Sequence, residues 1–440
     1  MLSLYRLTFL VFFLGYSETL LSQPIREYMD LQTHPTMHLS YSFFGKGLEY
    51  IDKHNPPKLS HKHLLTNVNY ANFLEQNGGA RIIVHGAIIP EVLVSRKNAR
   101  NRILEQLDFV NTFAEVHSDK FAVARSPQEV RDLVHHTDKT IIIHSIEGGK
   151  RLLDGPEDAQ FWADQGIAFM TLIHLIDDEF GTAAVLPDLA TRVINYRAAV
   201  KGLFAPKRKA RGLTDKGKQA IQWLADAGIM TDLTHMSDAS RSDALDFMEA
   251  KGIPPLVTHD MFKPVQNHPR GIAPRDVLRM MSLPISGISN LPYQPEPSYQ
   301  AMLDSLNRYC EGSIDTYKFS YEVLKEYVEQ DVANTLLKGV SFTQLQEPQK
   351  VDFAIGFQTD FNGWLDHHRP RYGDDGCFEE EAGQEYEAVE LEGMPHPGLL
   401  ESHWQLLEKE GVDLDPVLRA SEKFLQMWEF FLQGRKGAPQ

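Results

Sequence analysis

The stretch Thr140–Glu147, TIIIHSIE, runs straight into Gly148-Gly149. Its consecutive isoleucines leave no face for water. That suits a strand covered on both sides in a parallel sheet, not an alternating, half-exposed one. The run also ends on a carboxylate. Seven further runs of strand length punctuate the chain: Tyr28–His34 (YMDLQTH), Arg81–Ile89 (RIIVHGAII), Ala168–His174 (AFMTLIH), Ile229–His235 (IMTDLTH), Pro255–His259 (PLVTH), Pro284–Asn290 (PISGISN) and Asp352–Asp360 (DFAIGFQTD). Most are rich in Ile, Val and Leu.

Helical segments separate several of these runs. Ser126-Pro127-Gln128-Glu129 reads as a capping box with proline at the first helical position, opening a helix that feeds Thr140–Glu147. Thr214 opens another, whose Ala220, Ile221, Leu224 and Ala225 keep helical spacing up to Gly228. Strand and helix alternating eight times predict an α/β fold, a (β/α)8 TIM barrel, with a doubly wound open sheet as the alternative. No internal repeat is visible, which argues against a solenoid.

The barrel is expected to occupy residues 23–440 as one domain, with additions near 291–350 and 365–395. The stretch 374–392 (DDGCFEEEAGQEYEAVELE) holds nine acids and reads as an exposed, solvated loop. Leu399–Gly411 and Val417–Gly434 read as amphipathic segments, with Leu400, Trp404, Leu407, Val417, Phe424, Leu425 and Trp428 on their inner faces. With 42% apolar and 24% charged residues over 440 positions, the chain is of globular composition and long enough to bury a large core. Its 44 basic and 60 acidic residues, a net charge of −16, argue against a nucleic-acid partner. Cys310 and Cys377 allow one bridge or two free thiols.

Arg6 precedes the apolar run Leu7–Gly15 (LTFLVFFLG), too short for a bilayer core of about 30 Å. Residues 1–22 therefore read as a signal peptide, and the mature protein is expected to be secreted or periplasmic, in the cell envelope. No transmembrane segment or lipid-anchor signal is expected elsewhere: GRKGAPQ, at residues 434–440, is not an apolar tail.

The ionisable residues are not scattered. Six of the eight runs carry a ligand or acid/base group at their C-terminal end: Gln32 and His34, Glu147, His174, His235, His259 and Asp360. In a (β/α)8 barrel the C-terminal ends of all strands open on one mouth, where active sites lie. Imidazoles and carboxylates gathered there suit zinc and other borderline divalent metals. Asp30, Gln32 and His34 alternate along one strand and so share a side. His85 is mid-run and reads as barrel packing, His144 is ambiguous, and His38 fits a loop.

The motifs resemble those of the membrane dipeptidase (renal dipeptidase) family, peptidase family M19 of the amidohydrolase superfamily. The resemblance runs from about Tyr28 to Phe431. It rests on Glu147-Gly148-Gly149, Leu172-Ile173-His174, Gly212-Leu213-Thr214, Asp232-Leu233-Thr234-His235-Met236-Ser237, Thr258-His259-Asp260, Arg270-Gly271-Ile272-Ala273-Pro274 and Thr359-Asp360-Phe361-Asn362-Gly363, in that order. It diverges after Pro292 and after Trp364. It implies metal-dependent hydrolysis of a small peptide by a metal-activated water, with zinc as cofactor, one or two ions per chain. Glu147 would be shared between two ions, His235 and His259 would complete one site, and His34 and Asp360 would belong to the other. His174 would steady the oxyanion, with Asp360 also catalytic, and Arg270 would pair with the substrate's carboxylate. A homodimer is left open.

The first motif departs from the family's D-x-H-x-D: this chain reads Asp30-Leu31-Gln32-Thr33-His34. Gln32 is a weak, neutral ligand where the family has histidine, and His34 replaces an aspartate. The site containing His34 and Asp360 should hold its metal more weakly. Two other readings therefore stand beside the dipeptidase: a catalytically impaired homologue that binds a metal or small ligand, and a different amidohydrolase such as a lactonase or amidase.

Overall fold

The structure, a computed structural model, describes residues 24–40, 78–89, 91, 95–184, 212–281, 286–288, 296–306, 308–337, 353–361, 363 and 367–434. The expected signal peptide at 1–22, residues 291–295, 307 and 338–350 of the first addition and residues 365–366 of the second lie outside them. Among the described residues eight strands form one sheet: β1 (Met29–Thr33), β2 (Ile82–Ile88), β3 (Phe121–Ala124), β4 (Thr140–Glu147), β5 (Ile167–Thr171), β6 (Met230–Asp232), β7 (Ser286–Ile288) and β8 (Ile355–Phe357). Every pairing is parallel, in the order β6-β5-β4-β2-β1-β8-β7, with β3 also on β4. The first and last strands are neighbours. An open doubly wound sheet does not bring them together; a sheet that curls on itself does, and this is a curled sheet of the (β/α)8 type.

Seven of the eight expected runs overlap a strand. The sixth, Pro255–His259, is reduced to an isolated bridge between Leu256 and Asp232. Pro254 and Pro255 have no N–H to give, so only Leu256 exchanges backbone bonds with Thr231 and Leu233. The eighth strand is instead β3, four residues (FAVA) beside the first half of β4, Thr140–Ile143, where β5 takes over the same edge from His144 onward. So short a run carries little periodicity to read.

β4 is buried from Ile141 to Glu147, as the isoleucine run requires. Ser126 caps the helix Pro127–His136 by accepting the Glu129 N–H at 3.2 Å; Glu129 reaches back one residue further than a capping box does, to the N–H of Arg125. Thr214 caps Asp215–Ala227, which ends at Gly228 in the left-handed region. The two C-terminal helices, Leu400–Lys409 and Asp415–Gly434, bury the apolar faces seen in the sequence. Arg131 grips Glu422 with both terminal nitrogens (2.7 and 2.9 Å), tying the last helix to the third crossover. No helix among the described residues is long and apolar enough to cross a membrane.

The acidic stretch is mostly exposed, but Glu390 is buried against the Arg371 guanidinium at 2.8 Å. Cys310 and Cys377, 67 positions apart in sequence, are bonded to each other with Cα atoms 5.5 Å apart. The bridge fastens the acidic loop to the start of the helix Ile314–Leu337. Replacing both cysteines by serine is expected to lower the unfolding free energy by about 2–4 kcal/mol, mainly by freeing the unfolded chain. A urea titration reads this as a lower midpoint at similar slope; an unmoved midpoint would show that the bridge contributes nothing.

Candidate metal centre

Glu147 is the last residue of β4, and the other chemistry-bearing residues stand in the turns just past the strands. His34 follows β1 by one residue. His174, His235 and Asp360 lie three residues beyond β5, β6 and β8, and His259 three beyond the bridging Leu256. His235 (φ 67°) and Asp360 (φ 48°) adopt the left-handed backbone that non-glycine residues avoid. Such strain is held only where surrounding contacts enforce it, and it gathers at functional sites.

Both oxygens of Glu147 are engaged. Oε1 lies 2.9 Å from His235 Nε2 and 2.9 Å from His259 Nε2, which are themselves 3.0 Å apart. Oε2 lies 3.0 Å from His34 Nε2, and that same nitrogen is 3.1 Å from Asp360 Oδ1. All five residues are buried. Among the described residues, Glu147, His235 and His259 are the group whose three ligand atoms all lie within 4.8 Å of one another.

The ring protons are fixed by neighbours. His34 Nδ1 donates to the Gly86 carbonyl at 2.7 Å, leaving Nε2 as a lone pair or a second N–H. Gly86 must be glycine: a Cβ there would sit 2.6 Å from Gln32 Nε2 and 2.9 Å from His34 Cε1. His259 Nδ1 donates to Thr258 Oγ1 (2.7 Å), whose hydroxyl donates to Asp232 Oδ2 (2.8 Å). Asp232 also accepts from Thr171 and Thr234. The His259 Nε2 lone pair is thus aimed at Glu147 by an outer shell that the sequence, read ligand by ligand, did not single out.

The electrostatics reflect the crowding. Burial would raise the Glu147 carboxyl, but His174, His259 and His34 hold it well below the usual range. For His34, burial is outweighed by Glu147 and Asp360, and its imidazolium persists up to about 10. A ring nitrogen set between two carboxylate oxygens calls for a positive charge there, a proton or a cation. The donor set, imidazole and carboxylate with lone pairs converging, fits a divalent metal.

The remaining predicted residues take distinct places. Gln32 Nε2 lies 3.2 Å from His34 Nε2, and its Oε1 has no hydrogen-bond partner. Asp30 accepts the Thr359 N–H (2.8 Å) and hydroxyl (2.6 Å), locking β1 to the chain just before Asp360; burial pushes its carboxyl up to about 7. His174 Nε2 is 3.6 Å from Glu147 Oε1, and its ring meets His235 edge-on at 4.5 Å; burial lowers it to about 4. Arg270 is buried, its Nη2 donating to the His259 carbonyl at 2.8 Å.

His85 and His144 are hydrogen-bonded to each other and not to the Glu147 group. They meet at 3.0 Å through their Nδ1 atoms, and His85 continues to Thr36. The sequence reading missed Glu91. It lies just past β2, buried, its Oε2 4.0 Å from His174 Nδ1, and burial together with Asp178 pushes its carboxyl well up. Its signal was a lone acid inside an apolar stretch, Ile88-Ile89-Pro90-Glu91-Val92-Leu93-Val94.

A family model for membrane dipeptidases, peptidase family M19, matches residues 46–283, more than half of the chain. The chain belongs to the membrane dipeptidase family. It is 26% identical to an uncharacterized dipeptidase of Schizosaccharomyces pombe over 181 residues, 41% of this chain and 38% of that protein. The chain spans about two fifths of the length of the curated relatives it matches. Among solved structures it resembles the probable dipeptidase PvdM from Pseudomonas aeruginosa, with TM-score 0.56, 16% identity and coverage of 96% and 98% of the two chains. It also resembles a metallo peptidase from Rhodobacter sphaeroides, liganded there with a phosphinate mimic of the dipeptide L-Ala-D-Ala, with TM-score 0.55, 13% identity and coverage of 92% and 99%. These likenesses speak to the fold. For this family member, a metal cofactor is implied, and the Glu147–His235–His259 group is a candidate to hold it.

Proposed function

We propose that this protein is a zinc-dependent dipeptidase, secreted or periplasmic, working at the Glu147 centre. The observation that carries the proposal is Glu147 Oε1 lying 2.9 Å from the Nε2 atoms of both His235 and His259 in a buried site at the mouth of a dipeptidase-family barrel. Glu147, His235 and His259 would hold one zinc ion; His34 and Asp360, with the other oxygen of Glu147 and Gln32 nearby, would hold a weaker second. Zinc bound there would supply a Lewis acid and lower the pKa of a water toward neutrality.

The chain's own residues supply the rest. Arg270, anchored to the His259 backbone, suits the carboxylate of a peptide, since a guanidinium fork can take both oxygens. His174 stands over Glu147 where a ring N–H would meet negative charge growing on the scissile carbonyl oxygen. Asp360 Oδ1, 3.1 Å from His34 Nε2, is placed to take a proton from the attacking water. The disulfide supports an oxidising compartment, where such bonds persist.

The test is elemental analysis of the purified chain followed by hydrolysis of a dipeptide panel, before and after chelation. Hydrolysis lost on chelation and regained with zinc is expected. Zinc-loaded protein that cleaves no dipeptide would sink the proposal. One observation favours the impaired-homologue reading instead: the Gln32 carboxamide sits on the His34 nitrogen that a second metal would need.

A further inference from the structure

We infer that Glu91, with Asp178 beside it, is the seat for a positively charged amino group of the substrate, so that the centre selects peptides with a free N-terminus. The inference rests on the peptidase reading and adds to it the end of the peptide that Arg270 does not address.

Glu91 is 4% exposed, and no hydrogen bond reaches its Oε1. Its Oε2 stands 4.0 Å from His174 Nδ1, too far for a hydrogen bond in this state. The chain makes room for the carboxyl deliberately: Gly148, the residue after Glu147, has φ 101°, and a Cβ there would lie 2.6 Å from Glu91 Oε1. Among neighbouring charges Asp178, another acid, acts most strongly on Glu91, with Lys150 opposing it; Asp178 Oδ1 accepts the Phe180 and Gly181 N–H groups, while its Oδ2 lacks a hydrogen-bond partner. Burying carboxyl oxygens without a hydrogen-bond partner is unfavourable, and a cation brought by a ligand relieves it.

The placement fits a short peptide. His174 meets His235 at 4.5 Å between ring centroids, and His235 meets His259 at 5.0 Å, with the Nε2 atoms of all three turned to Glu147 Oε1. Glu91 stands on the far side of His174, at its Nδ1. Arg270 is hydrogen-bonded to the His259 backbone, and its Nε, 3.8 Å from Asp260 Oδ1, makes no hydrogen bond. A zwitterionic dipeptide carries an ammonium and a carboxylate at its two ends with the scissile carbonyl between them. An acid beside His174 and a guanidinium held on the His259 backbone complement that pattern.

The test is calorimetric titration of the full, zinc-loaded chain with a phosphinate analogue of Ala-Ala, in free-amine and N-acetylated forms. The wild type is expected to prefer the free amine by about ten- to a hundredfold, the range of a charge-assisted hydrogen bond. Glu91→Gln, which keeps the shape, should narrow that preference to within about threefold, and Asp178→Asn should narrow it partly. Thermal melts establish that each variant is folded, and Asp178→Asn carries the test alone if Glu91→Gln is not. A preference that Glu91→Gln leaves at its wild-type value, a wild type that binds both forms equally, or one that binds neither, overturns the inference. Dipeptide hydrolysis is assayed separately. A wild type that cleaves nothing, yet keeps a preference abolished by Glu91→Gln, ends the dipeptidase proposal and supports the role of Glu91.

Discussion

Glu147→Gln is expected to empty the centre of metal and to lower kcat/KM for dipeptides by about 10³-fold or more, since the chemistry would then lack both its electrophile and its acidified water. The change is nearly isosteric, so its effect is electronic. Oε1 faces two imidazole nitrogens at 2.9 Å and Oε2 faces a third at 3.0 Å. In a glutamine, one of those positions becomes an NH2 group, which donates to the histidine lone pairs that would otherwise point at a cation. The other becomes a neutral carbonyl. Both proposed sites share this residue, so both should be lost together. Elemental analysis after dialysis and a dipeptide assay check the result. Metal content equal to wild type, or activity within tenfold of it, would show that Glu147 is not the shared anion.

Gln32→His is expected to act in the opposite direction, raising tightly held metal from about one ion per chain toward two and turnover by about tenfold, the scale of changes around a metal ligand. Gln32 Nε2 lies 3.2 Å from His34 Nε2, so the carboxamide crowds the nitrogen that a second metal needs. Its carbonyl, Oε1, is buried without a partner. An imidazole at position 32 removes the carboxamide and adds a ligand. Gln32→His combined with His34→Asp should go further, by restoring a negative charge beside Asp360. The readout is metal stoichiometry after dialysis, then the same dipeptide panel. Two firmly bound ions in the unmodified chain, unaltered by Gln32→His, would refute this account. One ion and no hydrolysis, with activity appearing only in the double variant, would establish the impaired-homologue reading.

The fold was legible because parallel strands leave a strong trace. Buried on both faces, they become apolar runs such as Ile141–Ile143, and caps such as Ser126 and Thr214 mark where helices begin. Once a parallel barrel is read, the convergence of residues such as Glu147 and His235, 88 positions apart, follows from topology, since all C-terminal strand ends face one way. What failed was local. FAVA is too short to show a period, and Pro254-Pro255 turned an apolar run into a single bridge because proline cannot donate.

By itself, then, the sequence determined the strand–helix alternation, the family motifs and the residue types at the mouth, since these depend on composition and spacing along the chain. Only the tertiary structure decided which nitrogen each histidine presents. His34 and His259 are oriented by Gly86 and Thr258, partners on a neighbouring strand or in an outer shell. It also chose the bonded state of Cys310 and Cys377 over two free thiols, because only folding brings their Cα atoms to 5.5 Å. And it set Glu91 beside His174, 83 positions away in the chain, where an inconspicuous loop acid is buried with its Oε1 left for a substrate to answer.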